Sequence, residues 1–491
     1  MREGINRLNT GIGFDMGHSN HMKLASELLV DLFADIFTSF IIHCYVPTDI
    51  LRGVITPLVK DKLGNLTTSS NYRPVMSSSI FLKLFEYCLL SKIEPYVNLN
   101  DRQHGFRKTY STSSACLSLK ETVMHYTKGN SDVYVCFLDI SKAFDSVSHN
   151  ILMSKLIETG IPEYIVHLIE FWYANQYVNV KYNSAFSEDW KVNNGVRQGG
   201  VLSGLLFNIY IDALISKISK LDIGCNLGLL RSNIVAYADD IVLIAPSAKA
   251  LQFLMNVAAV EISKLQLNFN LDKTKTMVFR SSSNRSNALM LESHHINGHP
   301  VECVTSIRYL GYILTFDLNN TDDMNRVKSK FYIEFNSILR KFTFADNYVK
   351  LFLFKQYCLQ FYGAELWFGC RRSSQAFHQF AVGYHKAIKK LLNLSSHESN
   401  HYACQEASLY LFKHFINKTK ICLAFRILFK PCEFINKNLD FLKISSVMLG
   451  DVNTILTEQY QIDSISDNDF DAIMARISYV QNHEPQMRVP I

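Results

Sequence analysis

Ile234-Val235-Ala236-Tyr237-Ala238-Asp239-Asp240-Ile241-Val242-Leu243-Ile244 sets two adjacent carboxylates between two apolar runs. The β-branched residues on either side predict two short strands over 234–245, joined at an acidic hairpin tip. Adjacent like charges repel, and a divalent cation is the usual remedy. An Asp-Asp dipeptide alone would by default be a solvated turn, but the flanking strands argue against that. Far upstream, the apolar run Val133–Leu138 predicts a buried strand, and Asp139 closes it. A charge there is costly to bury, so it should face a cleft or a cation. Three such carboxylates suit phosphoryl transfer with two metal ions about 3.5–4 Å apart, bridged by side chains that leave room for phosphate oxygens. Hard oxygen ligands point to two Mg2+ ions, with Mn2+ as a substitute.

The rest of the chain bounds this reading. At 491 residues it exceeds a single core, and two to four domains are expected. Hydrophobic content of 48% with 12% aromatics excludes global disorder. No apolar run reaches the ~18 residues of a membrane span, and no signal-peptide pattern opens the chain. The expectation is an intracellular protein of the nucleus or cytoplasm, without membrane partners. Eleven cysteines lie singly and no C-x-x-C occurs, which predicts reduced, mostly buried thiols. His294-His295 read as part of a surface loop and not as a metal site. Net charge is only +6, yet residues 326–430 hold seventeen Lys/Arg against five Asp/Glu. A basic segment that long suggests a polyanionic partner, most simply nucleic acid.

Periodicity predicts helices over 22–44, 79–97, 151–157, 164–173, Ser203–Ser219 and 248–265. It predicts strands over 54–59, Tyr177–Tyr182, 276–279 and 309–314. The first twenty residues are aperiodic and read as disordered or as a leftover of a longer chain. Residues 281–287 read as a Ser/Asn loop, and the region beyond Asp322 as mostly helical to about 434. An acidic tail follows from about 438.

Asp139-Ile140-Ser141-Lys142-Ala143-Phe144 together with Tyr237-Ala238-Asp239-Asp240 resembles motifs A and C of reverse transcriptases. More narrowly, the chain resembles the polymerase of non-LTR retrotransposons, LINE-type elements of the jockey-like kind. Further blocks follow in order: Asn71-Tyr72-Arg73-Pro74, Gln103-His104-Gly105-Phe106-Arg107 and Gly195-Val196-Arg197-Gln198-Gly199-Gly200-Val201-Leu202-Ser203. Asn270-Leu271-Asp272-Lys273-Thr274-Lys275 and Tyr309-Leu310-Gly311 complete the set, over roughly residues 50–430.

The resemblance implies an α+β right-hand polymerase: an N-terminal extension with one helix (1–50), fingers (51–130), and a palm (131–320) with a fingers insertion near 150–190. A helical basic thumb (321–434) and the acidic tail (435–491) would follow. It implies an RNA-directed DNA polymerase acting on an RNA template, a DNA primer and dNTPs. Asp139 and Asp239 would hold both metals, with the Ile140 carbonyl completing one site and Asp240 nearby. Phe144 would underlie the sugar and exclude a ribose 2′-hydroxyl; Asp145, one residue too late to accept that hydroxyl, would cap the following turn. Gln198 would pack on the templating base or the nascent pair, with Gly199 letting backbone approach closely. Arg73 and Lys60 would meet triphosphate, Lys60 in competition with Lys62. Lys273, after a short helix, would donate a proton to leaving pyrophosphate. Arg107 would contact template backbone or triphosphate. Tyr309, Leu310 and Gly311 would cradle the primer end. Members of the family often carry Pro where this chain has Arg197 and Gly204, and Ser where it has Gly200.

Relatives couple polymerase to an endonuclease. None is legible before residue 50, and no Cys/His cluster follows, so a nuclease would be separate or missing. A ribonucleotide polymerase is disfavoured by Phe144, and a telomerase-like enzyme by the lack of an extended RNA-binding N-terminal domain. The alternative from another class is a catalytically inactive or co-opted nucleic-acid-binding protein.

Overall fold

The computed structural model describes all residues except 9–12, 14–16, 63, 229, 282–292, 369–374, 430–432, 438–441, 443–445, 463–469 and 484–491. Most of the predicted 281–287 loop lies outside the described residues.

Two sheets frame the site. Strands β1 (Gly53–Val59) and β2 (Tyr72–Ser77) form an antiparallel hairpin. The strand β3 (Val133–Leu138) comes next in the chain, and then β4 (Tyr177–Tyr182), which pairs parallel to β1. Later strands are β5 (Ile234–Tyr237), β6 (Asp240–Ala245), β7 (Lys275–Phe279), β8 (His294–Ile296) and β9 (His299–Cys303). With β3 they make a six-stranded sheet in the order β8-β9-β7-β3-β6-β5. A separate hairpin, β10 (Ser306–Tyr309) and β11 (Tyr312–Thr315), leads into the C-terminal helices.

The alternation of side chains along a strand explains why the central strands read as unbroken apolar runs. Val133, Val135 and Phe137 of β3 and Val242 and Ile244 of β6 enter one core. Cys136, Leu138, Ile241, Leu243 and Ala245 enter the other. The second core contains helices Ser203–Ser219 and Ala248–Lys264. The first contains helix Thr112–Lys128 and the C-terminal helices. Both faces of the sheet are covered, so polar alternation never appears in its middle strands.

Helix Thr112–Lys128 was not expected, because Ser, Thr, Lys and Glu break its apolar pattern. It is nonetheless buried from Ser113 to Val123. Its polar groups are satisfied by distant segments. Lys120 Nζ donates to Tyr312 Oη (3.0 Å), Asn320 Oδ1 (3.1 Å) and the Leu366 carbonyl (2.8 Å). Glu121 accepts the Ser446 hydroxyl (2.7 Å) and the N–H groups of Val447 (3.2 Å) and Met448 (3.1 Å). It therefore caps helix Val447–Ile455 from another part of the chain. The acidic tail thus packs into the core shared with helix Thr112–Lys128, and Met448, Leu449, Ile473 and Ile477 are buried there.

Other expectations change as well. The first residues form helix Arg2–Arg7, with Ile5 buried and the Arg7 carbonyl accepting from Tyr87 Oη at 3.2 Å. The N-terminal stretch holds further helices, Ser19–Lys23, Glu27–Ile42 and Thr48–Leu51, where one was expected. His294 and His295 lie in strand β8 and not in a loop, with His294 buried. Periodicity alone gave strand over 309–314; the chain there forms the hairpin and tight turn that the resemblance implied, at Leu310-Gly311, where φ is positive at both residues (46° and 81°). Nine cysteines among the described residues are free thiols, as expected.

Candidate active site

The three acidic residues lie at the adjoining ends of β3 and β6. Ile241 pairs with Leu138, so the next residues along the two antiparallel strands, Asp240 and Asp139, stand side by side. Asp239 lies in the two-residue turn between β5 and β6, since Tyr237 pairs with Asp240. Ala238 takes the left-handed conformation in this turn (φ 56°), which costs a residue with a Cβ of the order of 1 kcal/mol.

Gln103 offsets that strain. Its Oε1 accepts the N–H groups of Ala238 (2.8 Å) and Gly105 (2.9 Å), and its Nε2 donates to the Ala238 carbonyl (3.3 Å). The segment around it runs parallel to β5, with His104 N–H on the Ala236 carbonyl (2.7 Å) and Ala236 N–H on the Arg102 carbonyl (2.9 Å). Gly105 is required at this contact: a Cβ there would fall 2.4 Å from the Ala238 nitrogen.

Asp139 is held by its backbone. Its N–H donates to Thr274 Oγ1 (3.2 Å), and its carbonyl accepts Asn270 N–H (2.8 Å). Ser141 N–H donates to the Asn268 carbonyl (2.8 Å). Those bonds flank Ile140, which turns the Ile140 carbonyl away from residues 268–270. Lys273 is exposed in a turn closed by the Asn270 carbonyl, with no short helix before it, and its Nζ is 4.0 Å from Asp139 Oδ2.

Burial and mutual repulsion shape the charges. Asp239 is raised from the usual carboxylate range by burial first and by Asp139; Arg73 and Lys273 oppose the shift. Asp240 reaches solvent at its tip but is crowded by protein. Burial, then Asp239 and Asp139, push it up to about 6. Among the described residues no three His, Cys, Asp or Glu side chains converge on one point. The donor set is nevertheless all hard oxygen, and its accumulated negative charge is opposed by Lys273 and, for Asp239, Arg73. This chemistry fits a divalent cation.

The other expected residues are placed unequally. Phe144 is half-buried, stacked on Phe207 at 4.6 Å and 13°. Gln198 donates to Asp145 Oδ1 (2.8 Å), so Asp145 orients Gln198 and does not cap a turn. The Gln198 carbonyl accepts Met76 N–H (3.0 Å), which ties this loop to β2. Gly199 (φ 104°) passes so close to the Met76 carbonyl that a Cβ would lie 3.3 Å from it. Arg73 projects exposed from β2, opposite Leu58, with no hydrogen bond or ion pair among the described residues. Lys60 is spent on its own hairpin, on the Ser70 carbonyl at 2.8 Å. Arg107 turns back onto the carbonyls of Asn100 (2.7 Å) and Gln103 (3.2 Å) and stacks on Tyr110. Tyr309 is buried beneath the hairpin against Phe137, so the tip presents Leu310 and Gly311. Tyr362 Oη donates to the Leu310 carbonyl at 2.8 Å and fixes that tip.

Glu86 and Trp172, which support this loop, carried no signal in the sequence. Glu86 pairs with Arg197 in the interior, and its Oε2 accepts Val201 N–H at 3.0 Å. Arg197 also lies over the Trp172 ring, 4.6 Å from its centre. Nothing in the spacing of Glu86 signals this.

Residues 60–314 match the reverse transcriptase (RNA-dependent DNA polymerase) family. The chain belongs to that family. Its mixed sheets and helices make the right-hand, α+β polymerase architecture of reverse transcriptases. The chain is 30% identical over 207 residues to the Pol polyprotein of type-2 retrotransposable element R2DM of Drosophila melanogaster, covering 42% of this chain and 20% of that protein. It is 29% identical over 205 residues to the Pol polyprotein of a type-1 R2 element of Popillia japonica, covering 41% of this chain and 28% of that protein. The matched stretches therefore span less than a third of those relatives' own lengths. Apo telomerase from Candida tropicalis aligns over 93% of this chain and 74% of its own, with a TM-score of 0.44 and 13% identity.

Proposed function

We propose that this chain copies an RNA template into DNA, extending a DNA primer with dNTPs, as the polymerase of a non-LTR retrotransposon. The observation that carries this is the placement of Asp139 and Asp240 next to the paired Leu138 and Ile241, with Asp239 in the adjoining turn and Phe144 five residues after Asp139.

Asp139, Asp239 and the Ile140 carbonyl are the groups that would hold two Mg2+ ions, with Asp240 adding charge nearby. Ions held there would supply Lewis-acid activation of a primer 3′-hydroxyl and charge neutralisation at the phosphorus and leaving pyrophosphate. The chain's own residues do the positioning. Arg73, exposed and close enough to pull down the Asp239 carboxyl, offers a forked donor to triphosphate. Lys273 stands beside Asp139 and can supply a proton to pyrophosphate. Gln198, oriented by Asp145, lies against the new base pair, and the Leu310-Gly311 turn supports the primer end. Phe144 fills the space a 2′-hydroxyl would need.

We assign fingers, palm and thumb to residues 51–130, 131–320 and 321–434. The thumb grips template–primer backbone through its basic surface, where Tyr348, Phe352 and Tyr357 are exposed while Phe354, Phe361 and Trp367 are core. No helix among the described residues is long and apolar enough to cross a membrane. The work proposed belongs in the nucleus or cytoplasm.

The test is primer extension on an RNA template with Mg2+, supplying dNTPs or rNTPs to the wild type and to Phe144→Ala. DNA product from the wild type, with ribonucleotides admitted by the variant, is expected. Efficient ribonucleotide incorporation by the wild type would sink the assignment of Phe144. No product from folded protein would favour a binding protein without catalysis.

A further inference from the structure

Phe144 can exclude a 2′-hydroxyl only if its ring is held. Phe207 stacks on one face of that ring, at 4.6 Å. A second ring, Phe106, meets it edge-on at 6.0 Å and 76°. Phe106 is 59% exposed, and its backbone is left-handed (φ 54°). An exposed, strained aromatic persists only where its surroundings fix it.

Three contacts fix it. Gly105, just before it, lies against the Ala238 backbone, so the ring is tied to the acidic turn. The Gly105 carbonyl accepts Asn208 Nδ2 at 2.7 Å, which docks the segment on helix Ser203–Ser219. The ring then rests directly on Gly204 of the same helix, where a Cβ would lie 2.4 Å from Phe106 Cγ and 2.7 Å from Cδ1. The lack of a Cβ at Gly204 leaves the space that Phe106 occupies.

We propose that Phe106, seated on Gly204, is a positioning residue for sugar selection: it stops the Phe144 ring from turning aside when a ribonucleotide enters. This rests on the polymerase reading and deepens it, since Phe106 acts through Phe144 and not on the reacting atoms. Removing the ring leaves Phe144 stacked on Phe207 alone, free to pivot on its open edge.

The experiment measures kcat/KM for a dNTP and the matching rNTP in single-nucleotide extension by the wild type, Phe106→Ala, Phe106→Tyr, Gly204→Ala and Phe144→Ala. Phe106→Ala should raise the ribo-to-deoxy ratio by about two- to tenfold, the worth of one aromatic pair. Gly204→Ala should move it the same way by displacing the ring, although Ala suits a helix better than Gly. Phe106→Tyr, which keeps the ring, should restore the wild-type ratio. Added to Phe144→Ala, Phe106→Ala should change the ratio no further, because its effect passes through Phe144. Equal losses for both nucleotides, or a ratio that rises equally with and without Phe144, would overturn the proposal. If Phe144→Ala itself admits no ribonucleotide, the gate assignment fails first. Absence of any extension by the wild type fails the polymerase reading, a result distinct from both.

Discussion

Gln103 grips Ala238 from both sides, accepting its N–H at 2.8 Å and donating to its carbonyl at 3.3 Å. The bare turn that presents Asp239 is thereby braced by a fully buried amide from a segment over a hundred residues earlier. Gln103→Leu keeps much of the volume and removes the three hydrogen bonds to Ala238 and Gly105. Misplacement of a reacting group by about 1 Å can cost about a hundredfold in rate. Single-turnover extension should therefore slow by about ten- to a hundredfold, with primer–template affinity unchanged. An equal loss of affinity and rate would place Gln103 in general folding instead.

Glu86 and Arg197 are a buried pair, 1% and 4% exposed at their side chains. Removing one partner strands the other charge in the interior, at a cost of about 3–5 kcal/mol. Glu86→Gln should lose stability of that order in urea unfolding. Arg197→Met in the same background should recover most of it, since Gln can still accept from Val201 N–H. A double variant as unstable as the single would show that the pair is not the source.

Lys120 gives a pH signature. Burial pulls its ammonium down to about 8 from 10.5, against the pull of Cys116, Asp323 and Glu121. Between those values the unfolded chain binds more protons, so this group's contribution to stability rises with pH across about 8 to 10.5. Measured against Lys120→Met, the wild type should gain stability over that window and hold a constant offset below it. A flat difference would mean that its three acceptors keep the folded lysine charged throughout.

The basic helical region makes an ionic-strength prediction. Lys355 stands on the stretch that exposes Phe352 and Tyr357. If it meets phosphate, Lys355→Gln should weaken template–primer binding on all sequences alike and reduce the log–log salt slope by about 0.7–0.9. An unchanged slope would return it to the solvated surface.

Much of this was legible in the sequence, for a physical reason. Val133–Leu138, Tyr177–Tyr182 and Ser203–Ser219 end where they were read to end, since apolar period and polar or Gly boundaries coincide there. The acidic turn was legible because charge between two buried strands has few explanations. Helix Thr112–Lys128 was not, because Lys120 and Glu121 look like surface residues until Leu366, Asn320 and Ser446 arrive from elsewhere. The brace from Gln103 and the seat of Phe106 on Gly204 were hidden for the same reason. Both depend on the parallel alignment of residues 102–105 with β5, which no local pattern encodes.

The role proposed for Asp139, Asp239 and Asp240 is to carry RNA-templated DNA synthesis. Its most direct test is single-turnover extension of a DNA primer on RNA, with dNTPs and Mg2+, comparing wild type with Asp239→Asn at saturating template–primer. Full-length DNA from the wild type, and loss of extension in a variant that still binds the duplex, is the expected result. Undiminished synthesis by Asp239→Asn would contradict it.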